Sequence, residues 1–170
     1  MFRLFTLFFV VCFPLFSYSQ SSFHFTAQNR NSAVLDEHFT AYSLYAGDPA
    51  EMEDYLQQQG GVGTLQLSFG RQIQWPMALQ ARELRMDDFQ LVVAGPGGRE
   101  VYPRGATPTY QGELTDAPGS RVSLTVAEDF LFGFVKTDEG TIYFEPAHYL
   151  DESLPTGLYV VYRQTDVIPK

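Results

Sequence analysis

Cysteine is nearly missing from this chain: its 170 residues hold one, Cys12. It lies inside the apolar run from Leu4 to Phe16, behind the short cationic start Met1-Phe2-Arg3. Ser17-Tyr18-Ser19 then supplies small residues before Gln20, so residues 1–19 are predicted to be a signal peptide cut between Ser19 and Gln20. The run is shorter than the roughly 20 residues of a membrane-spanning helix. Val10-Val11 stand where a lipidated cysteine would need small neighbours. The expected location is therefore secreted or periplasmic, with no stable membrane anchor after cleavage. A mature chain without cysteine forms no disulfide and must be held by its core alone.

Positive charge is scarce as well. Eleven Lys and Arg face twenty Asp and Glu, and removing Arg3 with the leader takes the net charge from −9 to −10. Such a chain repels phosphate backbones and anionic lipid, so no nucleic-acid partner is expected. Histidine is rarer still. His24, His38 and His148 include no pair one helical turn apart around a Glu, the arrangement a zinc protease needs. No His, Cys or Asp cluster has metal-ligand spacing.

Other chemistry is wanting too. Gly60-Gly61-Val62-Gly63 follows a helix signal instead of opening one, and Gly95 to Gly98 leads toward a strand, so neither cradles phosphate. Ser120 sits in Pro-Gly-Ser-Arg, not in a strand-turn-helix elbow. Glu51, Glu53 and Asp54 fit the positive end of a helix dipole, and Asp36-Glu37 and Asp151-Glu152 read as solvated loop charge. No catalytic, metal-binding or cofactor-binding residue is predicted, no cofactor is expected, and the chain is expected not to be an enzyme.

What is present is period-two alternation. Leu65, Leu67 and Phe69 alternate with Thr64, Gln66 and Ser68; Ile73, Trp75, Met77 and Leu79 alternate with Gln72, Gln74, Pro76 and Gln80; Val122, Leu124 and Val126 alternate with Arg121, Ser123 and Thr125. Each stretch has one face for a core and one for water, the mark of antiparallel sheet. Pro76 cannot donate to a ladder and predicts an edge or a bulge. Gly95-Pro96-Gly97-Gly98, Asp116-Ala117-Pro118-Gly119 and Asp138-Glu139-Gly140 predict turns.

One short helix is expected near residues 49–59. Asp48 caps it, Pro49 takes its first position, and Gly60-Gly61 stop it. Met52, Tyr55 and Leu56 share the face that packs on the sheet. The fold class is thus all-β, mostly antiparallel, sandwich- or barrel-like. Residues 20–45 form an N-terminal extension with a possible first strand at Phe23 and Phe25, residues 46–166 the β-rich domain, and 167–170 a tail. Tyr42, Tyr45, Tyr102, Tyr110, Tyr143, Tyr149, Tyr159 and Tyr162 suit either interstrand packing or a ligand-binding face, with packing favoured.

From Leu65 onward the features follow a recognisable order. Leu65 and Leu67 precede Trp75-Pro-Met-Ala-Leu79, Glu83-Leu84 and Phe89-Gln-Leu-Val-Val93. Then come Tyr110-Gln-Gly112, Ser120-Arg-Val-Ser-Leu124, Leu131-Phe-Gly133, Ile142-Tyr-Phe-Glu-Pro146 and Leu158-Tyr-Val-Val-Tyr-Arg163. Across about residues 62 to 165 this resembles the propeptide (prodomain) of reprolysin/ADAM-type zinc metalloproteases, of the bacterial secreted type. Each motif is weak alone; their order is more specific. None supplies a reactive group, and Gly112 and Gly133 read as places of close backbone approach or bending.

The resemblance implies a non-catalytic prodomain that assists folding of a secreted zinc metalloprotease or blocks its cleft. Its partner would be the catalytic domain, in cis as part of a longer precursor or in trans. Two departures stand out. Animal members carry paired cysteines near where Pro108 and Ala127 stand here, and many inhibit through a cysteine on the zinc, which the mature chain lacks. Inhibition would have to be steric, or use an oxygen or imidazole near Asp151, Asp166 or His148, none of which is singled out. The alternative is a free-standing secreted β-sandwich module that binds a protein or glycan through tyrosines; no partner-binding residue is assigned.

Overall fold

The computed structural model describes residues 21–86, 88–102, 105 and 107–169. The expected signal peptide, 1–19, and its cut before Gln20 lie outside them.

Two strands and a short helix come first: β1 (Ser21–Gln28), α1 (Ala33–Asp36) and β2 (Ser43–Ala46). Helix α2 (Ala50–Gln58) follows, then β3 (Val62–Phe69), β4 (Ile73–Ala81), β5 (Leu91–Gly95) and β6 (Gly98–Tyr102). The rest is β7 (Thr109–Leu114), β8 (Ala117–Ala127), β9 (Phe130–Thr137), β10 (Gly140–Pro146) and β11 (Leu158–Arg163). The all-β expectation holds, and the form is a closed barrel in the order β1-β2-β11-β10-β9-β8-β7-β4-β3. A ring of nine strands cannot alternate direction all the way round. The parallel pair is β1 with β3, Ser21 opposite Leu65 through Phe25 opposite Phe69; every other wall pair is antiparallel.

The inward phase of the alternation fills the barrel. Leu65, Leu67, Phe69, Met77, Val122, Val126, Leu131 and Phe144 have no exposed surface, and each such apolar side chain contributes about 1.5–3 kcal/mol. Phe69 gathers the rings of Phe25, Tyr45, Trp75 and Phe144, with centroids 5.0–6.0 Å away. The interior is a packed core and not a channel.

The expected helix is present one residue late. Its N-cap is Pro49, not Asp48, and Pro49 offers no side-chain acceptor. Asp48 acts from just outside, its Oδ1 accepting the Ala50 amide at 3.0 Å. At the other end the Gly61 amide donates to Leu56 O and the Gly60 amide to Gln57 O, with both glycines at positive φ, the bond pair that closes a helix. Met52 and Leu56 are fully buried and join the barrel core. Helix α2 therefore plugs one end of the barrel.

Several expectations are corrected. The possible first strand at Phe23 and Phe25 is present as β1, but residues 21–45 are no mere extension: β1 and β2 are wall strands, and Phe23 and Phe25 belong to the core. The tail is tied down, since Val167 bridges Phe39 and the Ile168 amide donates to His38 O. Pro76 lies on neither an edge strand nor at a bulge of its own strand. It pairs with Gln66 on β3, and its carbonyl accepts the Thr115 amide just past the end of the β4–β7 ladder, where no wall donor is needed. The turn expected at 116–119 is Thr115-Asp116, with residues 117–119 already in β8.

A second helix, α1, was not expected. Ser32 caps it, its Oγ accepting the Leu35 amide at 3.1 Å and donating to Asp151 Oδ2 at 2.6 Å. Leu35 and Phe39 then cover the outer side of the wall with Leu44, Leu158, Val160 and Leu154, a second, smaller core. Asp151 also accepts from the Ser153 hydroxyl and amide. Hydrogen bonds from the Ser153 hydroxyl, then from Ser32, hold its carboxyl below the usual value.

Ser32→Ala removes both the cap and one Asp151 donor, and should cost about 1–2 kcal/mol. Because the folded value of Asp151 is lowered, its contribution is present above the ordinary carboxylate range and is lost as pH falls through that lowered value. Thermal unfolding followed against pH should therefore show a shallower acid decline in Asp151→Asn, which lacks that titration.

Candidate partner-binding surface

The three histidines sit on separate elements. His24 is exposed on β1, His38 lies after α1 with its ring near Phe39, and His148 sits in a short 3-10 turn. The His148 Nδ1 is buried without a hydrogen-bond partner. Asp166 accepts the Arg163 amide, and its carbonyl accepts the Thr40 amide. Among the described residues no three His, Cys, Asp or Glu are grouped to hold a metal ion. The Ser120 hydroxyl accepts the Leu114 amide at 2.8 Å, beside the register shift between Gly112 and Leu114. It repairs a bulge, which explains a serine there.

Asp36 and Asp151, which no motif pairs, are linked through Tyr42 and Ser32. Tyr42 donates to Asp36 at 3.0 Å and its hydroxyl accepts the Ser32 amide at 3.2 Å, while Ser32 donates to Asp151. Both acids raise the Tyr42 pKa, behind burial as the larger cause. The two carboxylates thus flank one serine that ties α1 to the loop after β10.

The tyrosines divide. Tyr45, Tyr110 and Tyr159 are buried in the barrel. Tyr143 and Tyr162 stack on the outside, with centroids 5.6 Å apart and planes 19° apart; Phe134 continues the row on one side and Phe39 on the other. Tyr162 donates to Glu145 at 2.7 Å, and burial followed by that carboxylate pushes its phenol up. Tyr102 and Tyr149 are exposed.

The most exposed apolar surface lies in a segment that reads in the sequence like two further core strands. Between β4 and β7 the chain leaves the wall, and β5 and β6 pair only with each other. Leu84, Met86 and Val101 are 66, 76 and 62 % exposed, and Phe89, Leu91, Val93 and Tyr102 are exposed too. The root of this arm is pinned: the Arg82 amide donates to Thr109 O, and Arg85 donates to Glu83 and to Gly105 O while its guanidinium lies 5.6 Å from the Phe89 ring. A two-stranded ribbon is marginal by itself. Among the described residues no further strand pairs with its two outer edges. Exposed apolar area of this kind is what protein, membrane and ligand contacts use. No helix among the described residues is long and apolar enough to cross a membrane.

Comparison with known proteins matched no family model and no curated protein.

Proposed function

We propose that this chain is a non-catalytic prodomain that assists folding of a secreted zinc metalloprotease and covers its cleft. The observation that carries the reading is the arm: an apolar ribbon with two open edges gains stability only when another protein covers it. Two further features support it. The segments that resemble the reprolysin-type propeptide fall in order on β7, β8, β9, β10 and β11, neighbouring strands of one wall. Pro108 and Ala127, near the places of the family's paired cysteines, are also close: the Val126 amide donates to Pro108 O at 2.8 Å.

Inhibition in this reading uses no thiol, since the one cysteine, Cys12, lies in the expected leader. The test adds the mature domain, from Gln20, to the catalytic domain of a reprolysin-type protease secreted by the same organism, and follows peptide cleavage and refolding yield. Slowed cleavage that survives thiol-blocking reagents, or improved refolding, is the expected result. Neither effect in any pairing would remove the reading.

A second reading has its own observation. The rings of Tyr143 and Tyr162 stack on the outer wall with Phe134 tilted beside Tyr143, the kind of surface on which a sugar ring or an extended peptide lies. A free-standing binding module would give a specific ligand in a glycan or peptide array, with binding lost in Tyr143→Ala and unaffected by changes in the arm.

A further inference from the structure

We propose that the outer wall over β4, β7 and β8 holds a binding site for a carboxylate, gripped by Arg82 and Arg121 over the side-chain amides of Gln80 and Gln111. These four residues line a cleft of about 470 Å3, a size suited to a small ligand or to a side chain of a partner. Its charged lining is entirely cationic, on a chain in which eleven Lys and Arg face twenty Asp and Glu. Alternation explains the placing. Leu79 and Val122 are buried in the barrel, so their neighbours Gln80 and Arg121 fall on the outer face. Gln80 stands opposite Gln111 in the β4–β7 ladder.

Neighbouring acids leave this pair uncompensated. Glu83, next to Arg82, is bound to Arg85 at 2.7 Å. Glu113 follows Gly112 at the register shift and forms no ion pair with Arg121. A second observation is independent of the cleft. Arg121 on β8 stands directly opposite Lys136 on β9, and both lie on the outer face because Val122 and Val135 are buried in the core. Like charges so opposed destabilise an antiparallel pair. Among the described residues neither side chain has an ion-pair partner. The free domain carries that repulsion as a standing cost, and an anion beside Arg121 relieves it.

The chemistry of the occupant follows from the lining. Guanidinium groups only donate hydrogen bonds, and their fork matches the two oxygens of a carboxylate. The amides of Gln80 and Gln111 add further donors. The acidic remainder of the chain repels a polyanion, which favours a ligand with one or two negative charges. The carboxylate can come from an Asp or Glu side chain of a protein partner or from a free small dicarboxylate. Arg82 also stands at the root of the arm, within reach of a partner seated there, but the site does not depend on that partner being a protease.

The test titrates the mature domain with N-acetyl-glutamate amide, succinate, inorganic phosphate and, as a neutral control, N-acetyl-glutamine amide, and follows NMR shifts at Gln80, Gln111 and Arg121. Both carboxylates are expected to bind more tightly than phosphate, and the neutral amide not at all. Affinity should drop at least tenfold in the double variant Arg82→Gln with Arg121→Gln, and fall as salt rises. Both side chains are exposed and unpaired, so this variant should fold normally. Arg71→Gln removes the same charge from a turn outside the cleft and should bind as the parent does. Lys136→Gln should raise the thermal midpoint of the free domain; a lowered midpoint would contradict the like-charge argument. Tighter binding of N-acetyl-glutamate amide than of succinate assigns the site to a partner's side chain, and the reverse order to a free dicarboxylate. The proposal is overturned if no carboxylate binds or if phosphate binds as tightly. It is overturned equally if the double variant matches the parent or if Arg71→Gln weakens binding as much.

Discussion

Gly112→Ala is expected to destabilise the barrel strongly. A Cβ at this position on β7 would overlap the carbonyl oxygen of Ala78 and press on the Cα of Leu79, both backbone atoms of β4. Neither can move without breaking the ladder that pairs Leu79 with Gly112 and Ala78 with Glu113. Rotamer changes relieve a clash with a side chain, but not one with a wall strand.

Gly133 on β9 is the companion case. Its Cβ would overlap Ser123 O and lie 2.9 Å from both Leu124 and the ring of Phe144. We expect each substitution to cost about 3–5 kcal/mol, the upper range for a single change, against a total stability of about 5–15 kcal/mol. Gly97→Ala, in the arm turn with no heavy atom within 4 Å, is the control and should be near neutral. Chemical denaturation of the three variants checks this. Equal midpoints for Gly112→Ala and Gly97→Ala would show that β4 and β7 are not this close.

The second large effect belongs to the arm and should leave folding untouched. Leu91→Asp with Val93→Asp places two charges on one face of the ribbon, at side chains that are half exposed and outside both cores. Barrel stability should change by no more than about 0.5 kcal/mol. Inhibition or refolding assistance should fall at least tenfold, because charged groups at the centre of an apolar interface remain unpaired when it closes. Loss of partner activity together with loss of fold would contradict this separation of arm from barrel.

Much of the wall was legible because a period of two is a local signal. Leu65-Gln-Leu-Ser-Phe69 and Val122-Ser-Leu-Thr-Val126 announce their inward faces without reference to the rest of the chain, and the glycines of Tyr110-Gln-Gly112 and Leu131-Phe-Gly133 announced tight approach. Closure was not legible. It rests on β1 lying parallel to β3, about forty residues away in sequence, and no local pattern encodes such a pairing. Helix α1 is four residues long, too short to show helical periodicity, and its only advance sign was Ser32 three residues before Leu35.

The arm was misleading for a physical reason. Leu91-Val-Val and Val101-Tyr have the composition of core strands, but among the described residues they belong to neither core, which leaves those side chains in water.

Hydrogen exchange on the mature domain, with and without a reprolysin-type catalytic domain, tests the central claim most directly. The account predicts that amides of β5 and β6 exchange quickly in the free domain and become protected in the complex, while the barrel strands stay protected throughout. An arm that exchanges at the same fast rate in the complex, with protection gained elsewhere or nowhere, would contradict it.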